Sequence, residues 1–180
     1  MKIKLLATLV AFLSVITCNA QASRTQDGIF IRPAYGVMSS GFTLHGASLA
    51  VGSRTDNAEG SAEVGYYKGA VDSIDIGIVP ILGNLRYYIP LGSDKLQFHV
   101  GASVGGTIVN LNGSVVYEGY TYTGSGSLGF LTAGVGAGLT YNITEKLALD
   151  AEYRYLVNWN SANSLSYGAG LFSGGLSYTF

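Results

Sequence analysis

The chain has 180 residues, a formal charge of −1, 26 glycines and 13 tyrosines, and only 12% of its residues are charged. That length supports one domain, and with ten Lys and Arg residues and no basic stripe the composition argues against nucleic acid as a partner. The single cysteine, Cys18, sits in an amino-terminal leader, which excludes disulfide, reactive-thiol and thiolate-metal chemistry from the rest.

The leader comes first. Met1-Lys-Ile-Lys4 is short and basic, Leu5 to Ile16 is apolar, and Ala20-Gln21-Ala22 is an A-x-A site. This layout predicts a secretory signal peptide over 1–22, cut after Ala22 or, as second choice, after Ala20. The apolar run is well short of the ~20 residues that a spanning helix needs. Cys18 follows Thr17, the wrong residue type for a lipidation box. Loss of Lys2 and Lys4 takes the formal charge from −1 to −3 and leaves 23–180 as a single domain.

From residue 28 onward the dominant signal is period-two alternation, the mark of strands with two unlike faces. Over 28–38, Ile29, Ile31, Pro33, Tyr35 and Val37 share one face, and Arg32, Ala34 and Gly36 the other. An arginine there makes sense if its face looks into a polar interior. Ser39 to Gly41 turns the chain. Residues 42–53 have a weaker pattern, strand or part loop, with Ala47, Leu49 and Val51 on one face. Arg54-Thr-Asp-Asn57 is a turn cluster. A third strand follows, where Ala62, Val64 and Tyr66 alternate with Ser61, Glu63 and Gly65.

The fourth strand runs over 74–89. Ile74, Ile76 and Ile78 share one parity, while Val79, Ile81, Leu85, Tyr87 and Ile89 share the other. Pro80 sits at the switch and predicts a β-bulge, because proline cannot donate to a ladder. A turn at 90–94 leads to a fifth strand, with Leu96, Phe98, Val100, Ala102 and Val104 opposite Gln97, His99, Ser103 and Thr107. The Gly-, Ser-, Tyr- and Asn-rich stretch 110–127 predicts a long exposed loop. Strand six carries Leu131, Ala133, Val135, Ala137, Leu139 and Tyr141 on one face and a nearly bare Thr132, Gly134, Gly136, Gly138, Thr140 face on the other. After a turn at 142–145, strand seven sets Leu147, Leu149, Ala151, Tyr153, Tyr155 and Val157 against Asp150, Glu152 and Arg154. A second loop, 158–166, precedes a last strand in which Phe172, Gly174, Leu176, Tyr178 and Phe180 alternate with Ser173, Gly175, Ser177 and Thr179.

Eight strands, apolar on one side and charged on the other, predict an all-β protein: an antiparallel up-and-down barrel turned inside out. Lipid offers no hydrogen-bond partner to the backbone, so a sheet can cross it only when closed. An interior of eight strands is just wide enough for side chains to fill. Arg32, Glu63, Arg86, His99, Asp150, Glu152 and Arg154 are therefore expected to pair across a plugged lumen, with the glycine face of strand six making room for the arginines. The short turns at 54–57, 90–94 and 142–145 fall at one end, as periplasmic turns do, with the longer loops at the other.

Chemical sites are poorly supported. A metal or catalytic centre needs several convergent groups, and His45 and His99 are the only histidines. His45 with Asp72-Ser73 superficially resembles the set of the lipid A palmitoyltransferase barrel, but flanks and spacing do not match. The His-x-Ser motif of the lipid A deacylase barrel is missing. Gly101-Ala-Ser-Val-Gly105-Gly106 resembles a nucleotide-binding loop but lies on a strand, where glycines allow close backbone approach. No catalytic, metal or cofactor site is predicted.

The terminal Leu176, Tyr178 and Phe180, ending on the aromatic residue itself, resemble the last strand of bacterial outer-membrane β-barrels. The tracts 79–89, 136–141 and 151–155 are similar to the small porin-like, OmpA-type and opacity-type members. That resemblance implies an eight-stranded barrel in the bacterial outer membrane whose final strand is read by the barrel-assembly machinery. It implies no enzyme, and a structural, adhesive or surface-recognition role carried by external loops. Here those loops would be 110–127 and 158–166, with Tyr117, Tyr120 and Tyr122 as candidate contacts for an unspecified extracellular ligand. The competing readings are a small pore, an outer-membrane lipid-modifying enzyme and a soluble lipocalin-like barrel with its apolar residues inside.

Overall fold

The computed structural model describes residues 27–93, 95–117, 120–160 and 164–180. The predicted signal peptide and both candidate cleavage sites lie outside these residues. Eight strands follow in order: β1 Gly28–Ser39, β2 Thr43–Thr55, β3 Ala58–Val71, β4 Ile74–Ser93, β5 Leu96–Tyr117, β6 Tyr120–Asn142, β7 Leu147–Asn160 and β8 Leu165–Thr179. Each pairs antiparallel with its sequence neighbour, and β8 returns to β1, so the sheet closes.

The register fixes the shape. Ile29 pairs with Ser53, then the row runs through Gly60, Leu85, Ala102, Val135, Tyr155 and Gly170. Gly170 pairs with Ser39, so one circuit climbs from residue 29 to residue 39 of β1. A closed sheet with such a stagger has its strands tilted about 35–45° from the barrel axis.

Alternation is translated directly into inside and outside. Leu85 is 69% exposed and Phe172 58%, whereas Arg154 is 2%. Ile29, Val104, Leu131 and Val135 also face outward. This polarity is the reverse of a water-soluble core and contradicts a lipocalin-like barrel. Tyr141, Tyr178 and Phe180 mark the end bearing the termini, while Tyr35, Tyr66, Tyr155 and Trp159 mark the other half of the exposed belt. Exposed aromatic residues occur at both ends of this outer face, among aliphatic ones such as Val135 beside Tyr155 and Leu131 beside Trp159, a surface that suits lipid.

Several expectations are corrected. Residues 43–55 form a regular strand throughout, with Ala47, Leu49 and Val51 outward. No bulge occurs at Pro80: β4 keeps one register across it, with Val64–Ile81 and Tyr67–Ile78 on one side and Pro80–Thr107 on the other. The apparent change of phase arises because Ile76, Ile78 and Leu82 point inward with Asn84 and Arg86. Parity never switches; the chemistry of the lumen does. The register shift in β4 lies instead between Pro90 and Ser93, so the strand extends into the stretch expected to turn.

The two expected loops are also mostly strand. β5 and β6 pair from Leu96–Tyr141 up to Tyr117–Tyr120, and β7 and β8 pair up to Asn160–Leu165. At that same end, β1–β2 turns through three residues, with Ser39 paired to Thr43, and β3–β4 through two, with Val71 paired to Ile74 and Asp72 at a φ of 52°. The two ends of the barrel therefore differ in strand extension more than in loop length.

Candidate functional site: a two-level lumen and a projecting hairpin

The lumen has two levels. At the end bearing the termini, Arg32 near the start of β1 is bidentate to Glu59, at 2.7 and 3.2 Å. Glu59 also accepts from Arg54 at 3.0 Å and from the Tyr88 hydroxyl at 2.6 Å. Arg54 stacks over the Tyr88 ring, 3.7 Å from its centroid. Arg86 joins this group to a second one: it lies 3.8 Å from Glu59, 3.3 Å from Asp150, and is hydrogen-bonded to Glu152. Arg154 bonds Glu152 at 2.8 Å and Glu63 at 3.0 Å. Asn84 donates to Glu63, Ser103 donates to Asn84, and Thr140 links Asp150 to His99.

Arg32, Glu63, Arg86, His99, Asp150, Glu152 and Arg154 thus all lie buried in one lumen. The predicted set omits Arg54, Glu59, Asn84 and Tyr88, although Asn84 and Tyr88 share the parity of Arg86 on β4. Arg54 lies in the predicted turn cluster, and Glu59 follows that turn directly; counting back four and two positions from Glu63 and Ser61 puts Glu59 on their face, and Arg54 pairs with it. Four arginines meet four carboxylates here, so the described network is formally neutral. Buried ions are tolerable only when paired and hydrogen-bonded in this way.

Gly136 and Gly138 supply the space. A Cβ at Gly136 would stand 3.0 Å from Glu152 Oε1 and 3.3 Å from Arg154 Cγ, and one at Gly138 would stand 2.6 Å from His99 Nε2. His99, Asp150 and Glu152 bring potential ligand atoms within 4.8 Å of one another. Arg86 already holds both carboxylates, so their need for positive charge is met by a side chain.

Above the ionic level the lumen is mainly apolar, crossed by one buried polar chain in which Thr107 and Thr132 share a 2.7 Å hydrogen bond and Thr132 donates to Asn158 at 2.7 Å. Met38, Leu44, Tyr67, Ile76, Ile78, Leu82, Val109, Phe130, Leu156 and Leu171 pack into one buried cluster, and Tyr167 meets Phe130 edge-on. Water and ions entering the barrel thus meet a packed, mainly apolar layer at one level and a paired ionic layer at the other.

His45 faces outward on β2, with Nδ1 3.2 Å from the Tyr35 hydroxyl. Asp72 and Ser73 form the β3–β4 turn beyond the Val71–Ile74 pair. Both of these residues are exposed.

Outside the barrel the β5–β6 hairpin continues alone. β4 follows β5 only to Gly113, and β7 follows β6 only to Leu131. Tyr117 pairs with Tyr120, and Tyr122 with Val115, at the far end of this projection; their side chains lie outside the described residues.

A closed eight-stranded sheet with a lipid-compatible exterior and a charged, filled interior defines a bacterial outer-membrane barrel. The family model for the outer membrane protein beta-barrel domain matches residues 8–180, and the chain belongs to that family. Among solved structures it is similar to Neisserial surface protein A, at 20% identity and a TM-score of 0.62, covering 87% of this chain and 98% of that one. A major outer membrane protein from Thermus thermophilus gives 14%, 0.61, 85% and 100% by the same measures. Ail, the attachment invasion locus protein of Yersinia pestis, gives 16%, 0.54, 86% and 97%. No curated protein matches the chain.

Proposed function

We propose that this protein is a non-enzymatic surface-recognition or adhesion barrel, exported by a signal peptide over 1–22 and cut after Ala22 or Ala20. Its lumen is closed, and its recognition element is the end of the barrel that carries the β5–β6 hairpin and the β7–β8 connection. The observation that carries this reading is the extension of β5 and β6 past Gly113 and Leu131. Strands needed only to span a bilayer are about 9–11 residues long, and β5 and β6 far exceed that. Tyr117, Tyr120 and Tyr122 at the tip belong to a residue type favoured at recognition surfaces. The attachment role named for Ail supports the same assignment here. Within the outer membrane, Phe180, Tyr178 and Leu176 serve as the assembly signal for the barrel-assembly machinery.

The test is to replace 114–123 with a tight turn and compare adherence of expressing bacteria to a panel of immobilised extracellular-matrix proteins. Adherence by cells carrying the intact protein, lost with the shortened hairpin, is the expected result. Equal adherence by both overturns the assignment. Planar-bilayer recordings address the porin-like alternative: a steady open state would refute the closed lumen.

A further inference from the structure

Gly174 lies bare in the outer wall of the barrel. Elsewhere on β8 the glycines are covered by tyrosines: a Cβ at Gly168 would strike the Tyr155 hydroxyl, and one at Gly170 would stand 2.7 Å from the Tyr153 hydroxyl. Aromatic cover of this kind is a common device for glycines in strands. A Cβ at Gly174 would meet only Asp150 O, at 3.9 Å.

The bare glycine belongs to a row of small residues. Leu139, Ala151, Gly174, Tyr35 and Ala47 pair one with the next from β6 round to β2. On the hairpin side this row is bounded by the paired Tyr153 and Phe172, and on the other side by the paired Leu149 and Leu176, all exposed. Between the two ridges lies a trough of about 800 Å³. It starts at Leu96 and Tyr141, where β5 begins and β6 ends, and reaches Tyr35 and Ala47 halfway along β1 and β2. The trough thus climbs from the end bearing the termini to mid-barrel. Its volume is that of a small-molecule site, and its walls face the hydrocarbon of the bilayer.

The foot of the trough is charged. Lys95 O accepts from the Asn142 N–H at 2.7 Å and Lys146 O from the Thr179 N–H at 2.8 Å, which sets both lysines just beyond the paired row Leu96, Tyr141, Leu149 and Leu176. Two of the three lysines after the leader are therefore here, and in the sequence each follows an acid, Asp94 or Glu145. Lys95, Glu145 and Lys146 are exposed and enter no ion pair among the described residues. Cations beside an acid complement a headgroup that carries both a phosphate and an ammonium.

We infer that the trough holds one acyl chain of a phosphatidylethanolamine molecule, with its phosphate against the lysines and its ammonium against Glu145. An ethanolamine ammonium donates charge-assisted hydrogen bonds to a carboxylate. A choline head has no N–H to donate, and a glycerol head brings no positive charge. The site needs only the membrane-spanning barrel and is independent of the projecting hairpin.

Native mass spectrometry of the full protein, folded in a neutral detergent, tests this with phosphatidylethanolamine, phosphatidylcholine and phosphatidylglycerol of identical chains. Wild type is expected to retain one phosphatidylethanolamine in preference to the other two. Lys146→Gln should weaken that binding about fivefold, the effect of one lysine beside lipid phosphate. Glu145→Gln should erase the preference over phosphatidylcholine. Gly174→Leu fills the trough and should abolish retention of all three lipids, and Ala151→Leu, on the paired strand, does the same from the other side. Gly83→Leu is the control: it lies outside the trough on β4, where a Cβ meets only Val104 O at 3.7 Å, and it should bind as wild type does. Heat-modifiable gel mobility verifies folding, and the two turn variants report on the headgroup whether or not a filled trough folds. Equal retention of the three lipids by wild type, or a preference untouched by Glu145→Gln, overturns the inference. Retention that survives a folded trough-filling variant, or that falls as far in Gly83→Leu, overturns it as well.

Discussion

Arg154 on β7 reaches across the barrel to Glu63 on β3, closing a 3.0 Å ion pair between residues 91 apart in the chain. Neither side chain has bulk water as an alternative partner, and each is held by a second group, Glu152 for Arg154 and Asn84 for Glu63. Arg154→Met should therefore destabilise the barrel by about 3–5 kcal/mol, because it strands buried carboxylate charge. Adding Glu63→Gln should restore part of that loss. Urea titrations of the protein in lipid vesicles measure both, and strictly additive losses would show the pair to be uncoupled.

Glu59 is the most connected carboxylate of the lumen, accepting from Arg32, Arg54 and Tyr88. Glu59→Ala leaves two arginines without their principal partner and should cost at least about 3 kcal/mol. Arg54→Met leaves Glu59 with Arg32 and the Tyr88 hydroxyl, so it should be milder than Glu59→Ala. The ranking is read from unfolding midpoints in the same vesicles; an inverted order would show that Arg54, through the Tyr88 ring, stabilises the lumen more than Glu59 does.

Gly138 and Gly129 lie on the same strand and make opposite predictions. A Cβ at Gly138 collides first with the Ala151 backbone oxygen and stands 2.6 Å from His99 Nε2, whereas one at Gly129 meets nothing within 4 Å. Gly138→Ala should cost about 1–3 kcal/mol through overpacking, and Gly129→Ala should be neutral. Heat-modifiable mobility across a temperature series separates the two, with equal shifts counting against the proposed crowding.

Leu85 stands in the middle of the outward run Ile81, Leu85, Ile89 on β4 and is 69% exposed. Facing lipid, Leu85→Arg should cost about 2–4 kcal/mol, the value expected near the bilayer midplane. If that exposed surface met water, the same change would be neutral or help solubility. Folding yield into vesicles decides between them.

At the carboxyl end, the Phe180 N–H donates to Ile29 O at 2.9 Å, and its ring meets Tyr178 edge-on at 5.3 Å. Deleting Phe180 should lower the assembled fraction in cells several-fold while the purified chain still folds into detergent micelles. Equal losses in both settings would assign Phe180 to barrel stability and remove its role as an assembly signal.

Strand parity was a sufficient guide wherever the two faces differ in polarity. Arg32 against Ile31, and Glu152 against Tyr153, sort themselves because lipid and a charged lumen select opposite side chains. The same logic misleads where both faces are apolar. Ile76 and Ile78 point inward beside an outward Val79 and Ile81, so polarity alone suggests a bulge where the backbone has none. Residues 110–127 hid for another reason. Outside the membrane and the barrel neither face needs to be oily, so Asn, Ser, Thr and Gly build a strand whose composition reads as loop. Arg54 and Glu59 flank a two-residue turn at Asp56 and Asn57, where turn chemistry masks their inward direction.

The long-distance ion pairs carry a kinetic consequence. Arg86 on β4 can meet Asp150 and Glu152 on β7, and Arg154 can meet Glu63, only once strands made at opposite ends of synthesis stand around a common axis. Such contacts are costly in loop entropy and come late. The lattice therefore works as a latch: it adds little to early hairpins and locks the cylinder when β8 meets β1. Variants in it should speed opening of the finished barrel more than they slow its formation.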